Sequence, residues 1–400
     1  MNRICMVTHS MYAPDPRVRR EAEALIEAGY AVDVIALREP GGRAHQTING
    51  VQVYGLPISR HQGSGIMVYL LEYLSFCLLA FATLTYRYLH RRYTVIQVHT
   101  PPDFLVFVTL VPRLLGARVI LDLHEIVPEL FQERFGLAAN HPTIRLLKLI
   151  ERLACAYAHA VLAVHDRHKE ILVARGVNPA KITSIPNCPD ERMFDPTRAN
   201  GRNNGYFTIL YHGAVVPRYG LDVLVQAVAH LRRQCPDLRL RILGDGDAWP
   251  SVHTLVTELK VDDIVDMPGR VPLAEIPDSI AAADVGVVPN RQNVYTDEIL
   301  PTKLLEYMAM RRPVVAARTR LMESLFGADQ SVLFFEPGNP LDLAERLAQL
   351  YHNPIGCKQL VTSAQVSLKS FRWSIVKHTY LGVLTQLKKK QLNSMTTISF

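Results

Sequence analysis

The stretch EILPTKLLEYMA, Glu298 to Ala309, places two glutamates eight positions apart around a lysine, with a proline between them. Two carboxylates can share acid–base work on one bond, hold a metal, or line the polar face of a helix. Proline suits a helix's first turn, where its missing N–H is no loss, so the sequence predicts a helix from near Pro301 to about Met310, ended before Pro313 opens a strand. Glu298 then lies in the preceding loop and Glu306 on the second turn. If the intervening residues were all helical, a rise of about 1.5 Å each would hold the glutamates roughly 12 Å apart. Carboxylates that work together on a glycosidic bond sit about 5–9.5 Å apart. The wider spacing suits a ligand with hydroxyls at both ends and negative charge between, and a nucleotide sugar is such a molecule. One glutamate would accept from sugar hydroxyls and the other from a ribose diol. Lys303 and the free N–H groups where Leu300, Pro301 and Thr302 open the helix would face the diphosphate.

Other residues of fitting chemistry follow predicted strands. After FTILYH come Gly213, an irregular turn with Arg218, and Gly220. Glycine lets backbone approach a phosphate and arginine forks onto its oxygens, so this turn reads as a diphosphate cradle. It lacks the Gly-Lys-Ser/Thr ending of a Walker loop and is not a GxGxxG fingerprint. In RILGDGD, Gly246 permits close backbone approach to a ligand; the competing reading makes Asp245 and Asp247 ligands of a metal on the phosphates. The turn Gly269–Val271 can offer backbone groups to the edge of a base. After VILDL, His124 stands near Asp122 and Glu125, where it can donate a hydrogen bond or move a proton, although a lone histidine is commonly structural. After the first strand, SMYAPDPRVRREAEAL crowds Arg17, Arg19 and Arg20 into the first turn of a helix that Asp15 can cap. Cations there oppose the helix dipole. Either an anionic ligand lies nearby or Glu21 and Glu23 answer them in a surface salt-bridge cluster.

These residues need a scaffold, and the pattern supplies one. Short β-branched runs alternate with amphipathic helical stretches, the signature of parallel sheets with helices on both faces. Ile4–Thr8, Ala31–Ala36, Val95–Val98, Val119–Asp122 and Val161–Val164 read as one sheet; Phe207–Tyr211, Leu238–Leu243, Asp284–Val288, Pro313–Ala317 and Val332–Phe335 read as a second. Between them the Pro/Asn/Gly-rich stretch 185–205 reads as a linker, with the boundary near residue 195. In such sheets ligands gather at the carboxyl ends of strands. A length of 400 residues fits two domains of roughly 150–200 each. The hydrophobic share of 48% and charged share of 20% make disorder an expectation only for the tail, 391–400. Six scattered cysteines fit a reduced, cytosolic protein, and the amino terminus reads as a core strand and not a secretion signal. The net charge of +7 fits an anionic partner or a solvated surface, with no nucleic-acid module in the sequence. The segment Gly65–Tyr86 is almost wholly apolar, interrupted by Glu72 and flanked by Arg87, His90, Arg91 and Arg92. It reads either as a buried helix or as a helix dipping into a membrane face, over 65–92, with anionic lipid heads beside its basic flank.

Assembled, these residues resemble the family-4 retaining glycosyltransferases of the GT-B fold. The resemblance spans nearly the full length and rests on SMYAPDPRVRREAEALIEAGY, GARVILDLHEIVPELF, KITSIPNCPD, YHGAVVPRYGLD, ILGDGD, PGRVP and above all EILPTKLLEYMAMRRPVVAA, whose Glu298 and Glu306 match the family's paired-glutamate signature. It implies two Rossmann-like domains with a deep interdomain cleft. Residues 1–195 would form the acceptor-side domain, completed by a carboxy-terminal helix at 372–390, and 196–371 the nucleotide-sugar domain. It further implies that Glu298 contacts the donor sugar, Glu306 binds the ribose, Arg218 and Lys303 neutralise the leaving diphosphate, His124 sits beside the sugar, and the Arg270–Val271 backbone reads the base. Hexosyl transfer with retention, no metal or other cofactor beyond the nucleotide-sugar co-substrate, and saccharide or lipid-linked acceptors of cell-surface polysaccharide assembly are implied too. The location would be cytoplasmic, peripheral at the inner face of the plasma membrane. Two departures stand out. The family's Gly-Arg and Lys-Gly around the phosphate turn are here Gly213–Ala214 and Tyr219–Gly220, leaving Arg218 to take up the phosphate. A family Gly-Gly loop is replaced by HSMYAPDP, which puts His9, Tyr12 and Arg17 on the acceptor side. Rival readings are a GT-B sugar-nucleotide epimerase or phosphorylase, and a non-catalytic binding paralogue.

Overall fold

The computed structural model describes residues 3–59, 66–197 and 205–396. Every predicted strand is present, to within three residues at the ends. In the first compact unit, residues 1–187 with 376–400, the strands are β1 Arg3–Met11, β2 Ala31–Leu37, β3 His45–Ile48, β4 Val51–Leu56, β5 Val95–His99, β6 Arg118–Leu123, β7 Ala160–Ala163 and β8 Ile182–Ser184. Their spatial order is β3-β4-β2-β1-β5-β6-β7-β8, parallel except for the hairpin β3–β4. The second unit, residues 188–375, holds β9 Phe207–His212, β10 Leu238–Leu243, β11 Val265–Gly269, β12 Val285–Val288, β13 Val314–Ala317 and β14 Leu333–Phe335, all parallel, in the order β11-β10-β9-β12-β13-β14.

In both sheets the chain builds outward from its first strand on one side and then crosses to the other. The direction reverses between β1 and β5, and again between β9 and β12. At such a switch point the loops above adjacent strands diverge and leave a crevice at the carboxyl ends. The residues at or just past those ends are His99 and Thr100 in the first unit, and His212, Gly213, Pro289 and Asn290 in the second.

The units divide at Asn187/Cys188 and at Ile375/Val376, whereas composition placed the first boundary near 195 and the family resemblance placed the closing helix from 372. Packing explains the shift: Phe194 and Met193 sit in the second unit's core beside Leu210 and Leu304, so the Pro-rich stretch is claimed by that core before its composition changes. Residues 198–204 of the predicted linker lie outside the described residues. The final helix, Trp373–Thr396, continues through much of the tail expected to be disordered; 397–400 lie outside the described residues. Its Tyr380 is fully buried and donates to Gln97 Oε1 on β5 at 2.7 Å, which ties the helix into the first unit.

The apolar segment forms the helix Ile66–Arg91. One stripe, Phe76, Ala80, Leu84 and Tyr88, is buried in the first unit's core at the i, i+4 spacing of a helix face. Glu72 on the same side is buried within 3.2 Å of His9 Nε2. One face is core, as the buried-helix reading expects, and the opposite face is apolar and exposed. Gly65 lies outside the described residues.

Candidate functional site

The second unit's site is built on β9 and the helix Thr302–Ala309. Pro301 is the residue preceding that helix, with φ −65°, and Ile299 is extended, so Glu298 falls on a separate short turn, Thr296–Glu298. Lys303 is buried, and its Nζ lies 3.8 Å from the Tyr211 ring centroid and 4.8 Å from that of Tyr219. Among the described residues it has no hydrogen-bond partner. A Cβ added at Gly213, whose φ is +122°, would come within 2.9 Å of this Nζ, so only glycine leaves the lysine its place at the strand's end. Burial pulls the Lys303 ammonium down to about 7, with Glu306 opposing the shift, and burial pushes the Glu306 carboxyl up to about 7, opposed by Lys303. Glu306 Oε2 lies 3.3 Å from His212 Nε2. Burial, then Lys303, lowers His212 to about 3, so at neutral pH that imidazole is uncharged and the contact is not an ion pair. The result is a cation and a carboxylate poised near neutrality with their hydrogen-bonding capacity unspent, as a polyanion bearing a diol requires.

Around this pair, Arg218 is half-buried in the short turn Pro217–Tyr219, its guanidinium 5.2 Å from the Tyr219 ring and 5.8 Å from the Tyr295 ring. Arg270 is exposed just past β11, where it meets Asp245 at 2.9 Å, and Val271 packs partly against the core. That pairing occupies Asp245 with a cation instead of leaving it for a metal. Gly246 behaves differently from its expectation. A Cβ there would meet the Val215 carbonyl at 2.4 Å, so its freedom serves a close approach of two protein loops, the β9 and β10 turns, which Val215 N and Asp245 O join at 2.8 Å. Glu298 is buried and accepts from Arg320 Nη1 at 3.0 Å. Leu300 is half-buried and Thr302 exposed at the helix start.

The first unit carries a second polar cluster. His124 stands just past β6 and His99 ends β5; His124 Nε2 lies 3.2 Å and His99 Nδ1 3.0 Å from the same Asp122 Oδ2, and the two rings are 3.0 Å apart at these nitrogens. Arg17 grips Asp122 with Nε at 3.0 Å and Nη2 at 2.7 Å, and donates Nη1 to the Ile185 carbonyl at 2.8 Å. Burial alone would raise the Asp122 carboxyl; Arg17 and His124 outweigh it and hold it well below the usual carboxylate range. Burial would lower His124, but Asp122 raises it above the ordinary histidine value. Gln97 Nε2 donates to Glu21 Oε2 at 2.6 Å. Among the described residues, His99, Asp122 and His124 are the group spaced to hold a metal. The Arg17 fork already fills both Asp122 oxygens and adds a positive charge, which fits a proton-handling cluster better than a cation site.

The acceptor-side expectation for His9, Tyr12 and Arg17 needs correction. All three are buried: His9 packs edge-on against Phe76 and faces Glu72, Tyr12 is buried with its hydroxyl unpartnered, and Arg17 is spent on Asp122. Glu21 and Glu23 do answer Arg17 and Arg19, at 3.4 and 4.0 Å, but the Arg17 pair is buried and not on the surface, and Arg17 is not an open anion site. Residue reading missed His99, Tyr211, Tyr219, Arg320 and Asn290. His99 had the same signal as His124, a histidine at a strand's carboxyl end. Asn290, fully buried just past β12 with neither side-chain atom partnered, had none.

Each unit is a doubly wound parallel sheet whose polar residues gather at the switch point, which is the class of nucleotide-binding α/β domain. Residues 13–188 match the family described as Glycosyl transferase 4-like domain, and residues 195–366 match Glycosyl transferases group 1. The chain belongs to these family-4-type glycosyltransferases, of the GT-B fold. It is 25% identical over 381 residues to a D-inositol 3-phosphate glycosyltransferase of Pseudarthrobacter chlorophenolicus, covering 89% of this chain and 86% of that protein. Sucrose-phosphate synthase from Thermosynechococcus elongatus has the same fold, with a TM-score of 0.78 at 19% identity over 98% of this chain and 100% of that one. So does Anabaena HepE, solved in complex with UDP-glucose, with a TM-score of 0.71 at 16% identity over 96% and 99%.

Proposed function

We propose that this glycosyltransferase moves a hexose from a nucleoside diphosphate sugar to a saccharide or lipid-linked saccharide acceptor, with retention and without a metal. The observation that carries the reading is Lys303, a buried and unpartnered lysine over two tyrosine rings at the end of β9, with Glu306 one helical turn on. Lys303 and Arg218 hold the diphosphate, Glu306 accepts from the ribose diol, and the backbone at Arg270 and Val271 meets the base. Glu298, oriented by Arg320, accepts from the sugar's hydroxyls. In the transfer, the bond from the anomeric carbon to the diphosphate oxygen breaks and a bond from that carbon to an acceptor oxygen forms. The acceptor's proton leaves with the diphosphate or passes to a base. Charge builds on the leaving oxygens, and fixed cations there lower the barrier without rearranging. His124, oriented by Asp122, serves the transferred sugar as hydrogen-bond partner. That HepE was solved with UDP-glucose supports a uridine diphosphate hexose as the first donor to try. Cell-surface polysaccharide assembly at the cytoplasmic face of a membrane is the setting the family resemblance favours.

The test is a panel of labelled nucleotide sugars with parent and Glu306→Ala protein. Glu306→Ala should weaken donor binding by about tenfold or more, the loss expected for hydrogen bonds to a charged acceptor. Equal donor affinity in the variant would sink the ribose role. Product formed from donor with no acceptor present would point to an epimerase.

A further inference from the structure

We propose that one face of the first unit, made by three helical segments, docks on an anionic phospholipid surface. The first segment is the helix Ile66–Arg91, whose Leu71, Leu74, Leu78 and Leu89 are exposed opposite its buried stripe, Leu78 by 70%. The second is Asp103–Thr109 continued by Leu110–Leu114, exposing Phe107, Leu110 and Leu114, the last by 73%. The third is Pro142–Tyr157, exposing Leu146, Leu149 and Leu153 along one side. The segments are contiguous: Tyr88 Oη donates to the Leu115 carbonyl at 3.1 Å, and Phe107 meets Tyr157 edge-on at 5.1 Å. The Arg113 guanidinium lies 4.4 Å from that same tyrosine ring. Leucines in these numbers on one monomer face mark an interaction surface.

Charge selects the occupant. The three segments contain three acidic residues, Glu72, Asp103 and Glu151, and all three are buried. The exposed charges on them are positive, with Arg91, Arg145 and Arg152 exposed and Arg113 and Lys148 half-buried. A second copy of the chain would bring like charge against like charge. A nucleic acid would leave the leucines in water. A bilayer with anionic headgroups answers both at once: leucines enter the headgroup–acyl boundary while arginines meet phosphates. The helix Ile66–Arg91 lies on such a surface and does not cross it, because Phe76, Ala80, Leu84 and Tyr88 are already committed to the protein core. The surface is independent of the transfer reaction and lies outside the unit that holds Lys303 and Glu306.

The experiment is sedimentation of the full chain with vesicles of phosphatidylcholine alone, or of phosphatidylcholine mixed with phosphatidylglycerol. The full chain should partition onto the mixed vesicles, less onto the neutral ones, and less at high salt. Leu78→Glu with Leu114→Glu, and separately Arg145→Glu with Arg152→Glu, should each lower partitioning by about tenfold or more with melting temperature and nucleotide binding unchanged. Equal binding to neutral and anionic vesicles, or parental binding by both double variants, overturns the proposal. So does a dimer in sedimentation equilibrium that Leu78→Glu dissociates, since the face would then belong to a second copy. If the leucine variant fails to fold, the arginine variant decides alone.

Discussion

Lys303→Met should make the protein more stable and a worse nucleotide binder. The ammonium's pKa falls from 10.5 to about 7 on burial. At about 1.4 kcal/mol per tenfold in proton affinity, holding it charged in the folded state costs on the order of 5 kcal/mol. The contacts with the Tyr211 and Tyr219 rings return about 1–2 kcal/mol. A methionine of similar length keeps the packing without the charge, so the variant should gain about 3–4 kcal/mol, or roughly 6–15 °C in Tm. The sign follows from the direction of the shift. A lysine with a lowered pKa carries its full penalty below about 7 and loses it as pH rises towards 10.5, where it is neutral folded and unfolded alike. Glu306 is raised from 4.5 to about 7, so its own penalty is absent below about 4.5, grows as pH rises through that window and is full above about 7; only below about 4.5 does the effect belong to Lys303 alone. Urea melts across pH should show the advantage of Lys303→Met largest in mild acid and shrinking in alkali, with Lys303→Met/Glu306→Gln removing the contribution of the carboxylate. Calorimetry with a nucleoside diphosphate should show affinity lower by about 10–100-fold. A variant that is no more stable in mild acid, or one that binds the diphosphate as well as the parent, would refute the reasoning.

Two other perturbations follow the same logic. Asp122→Asn removes the closer of the two buried carboxylates that answer Arg17, leaving Glu21 Oε1 at 3.4 Å, so it should cost about 3–5 kcal/mol or less in chemical denaturation and lower the His124 titration followed by NMR; a His124 pKa that stays put would remove Asp122 as its cause. Asn290→Leu replaces an unpartnered buried amide with an apolar group. It should hold or raise stability by about 1–3 kcal/mol while weakening donor binding, and a variant that loses stability with donor affinity intact would make Asn290 a packing residue.

The sheets were readable because buried parallel strands announce themselves as short β-branched runs, and the switch points followed once strand order was known. The hairpin β3–β4 was not read, although Asn49–Gly50 between its strands, both at positive φ, is the turn such hairpins favour. Its strand His45–Ile48 is half-exposed and polar, and the apolar pattern passes over it. At the site, Lys303 and Glu306 were legible because helix phase fixes which residues share a side, and Pro301 fixed the phase. Arg17 was misread because charge in a sequence says nothing of burial. Arg17 is on a helix and its partner Asp122 on β6, 105 residues on, and only the fold brings the two together. Gly246 was misread for a related reason: the sequence shows that backbone approaches closely there, not whether a ligand or another loop does the approaching.

The Tyr380–Gln97 bond has a consequence for biosynthesis. At roughly 5–20 residues per second, the helix that completes the first unit leaves the ribosome on the order of ten seconds or more after that unit's last strand, with the whole second unit made in between. Until then Gln97 and Glu21 face the position Tyr380 will fill. The first-made half of this enzyme is therefore the last to close, and a nascent chain halted before Trp373 should show a protease-resistant second unit beside a first unit that is still being cut.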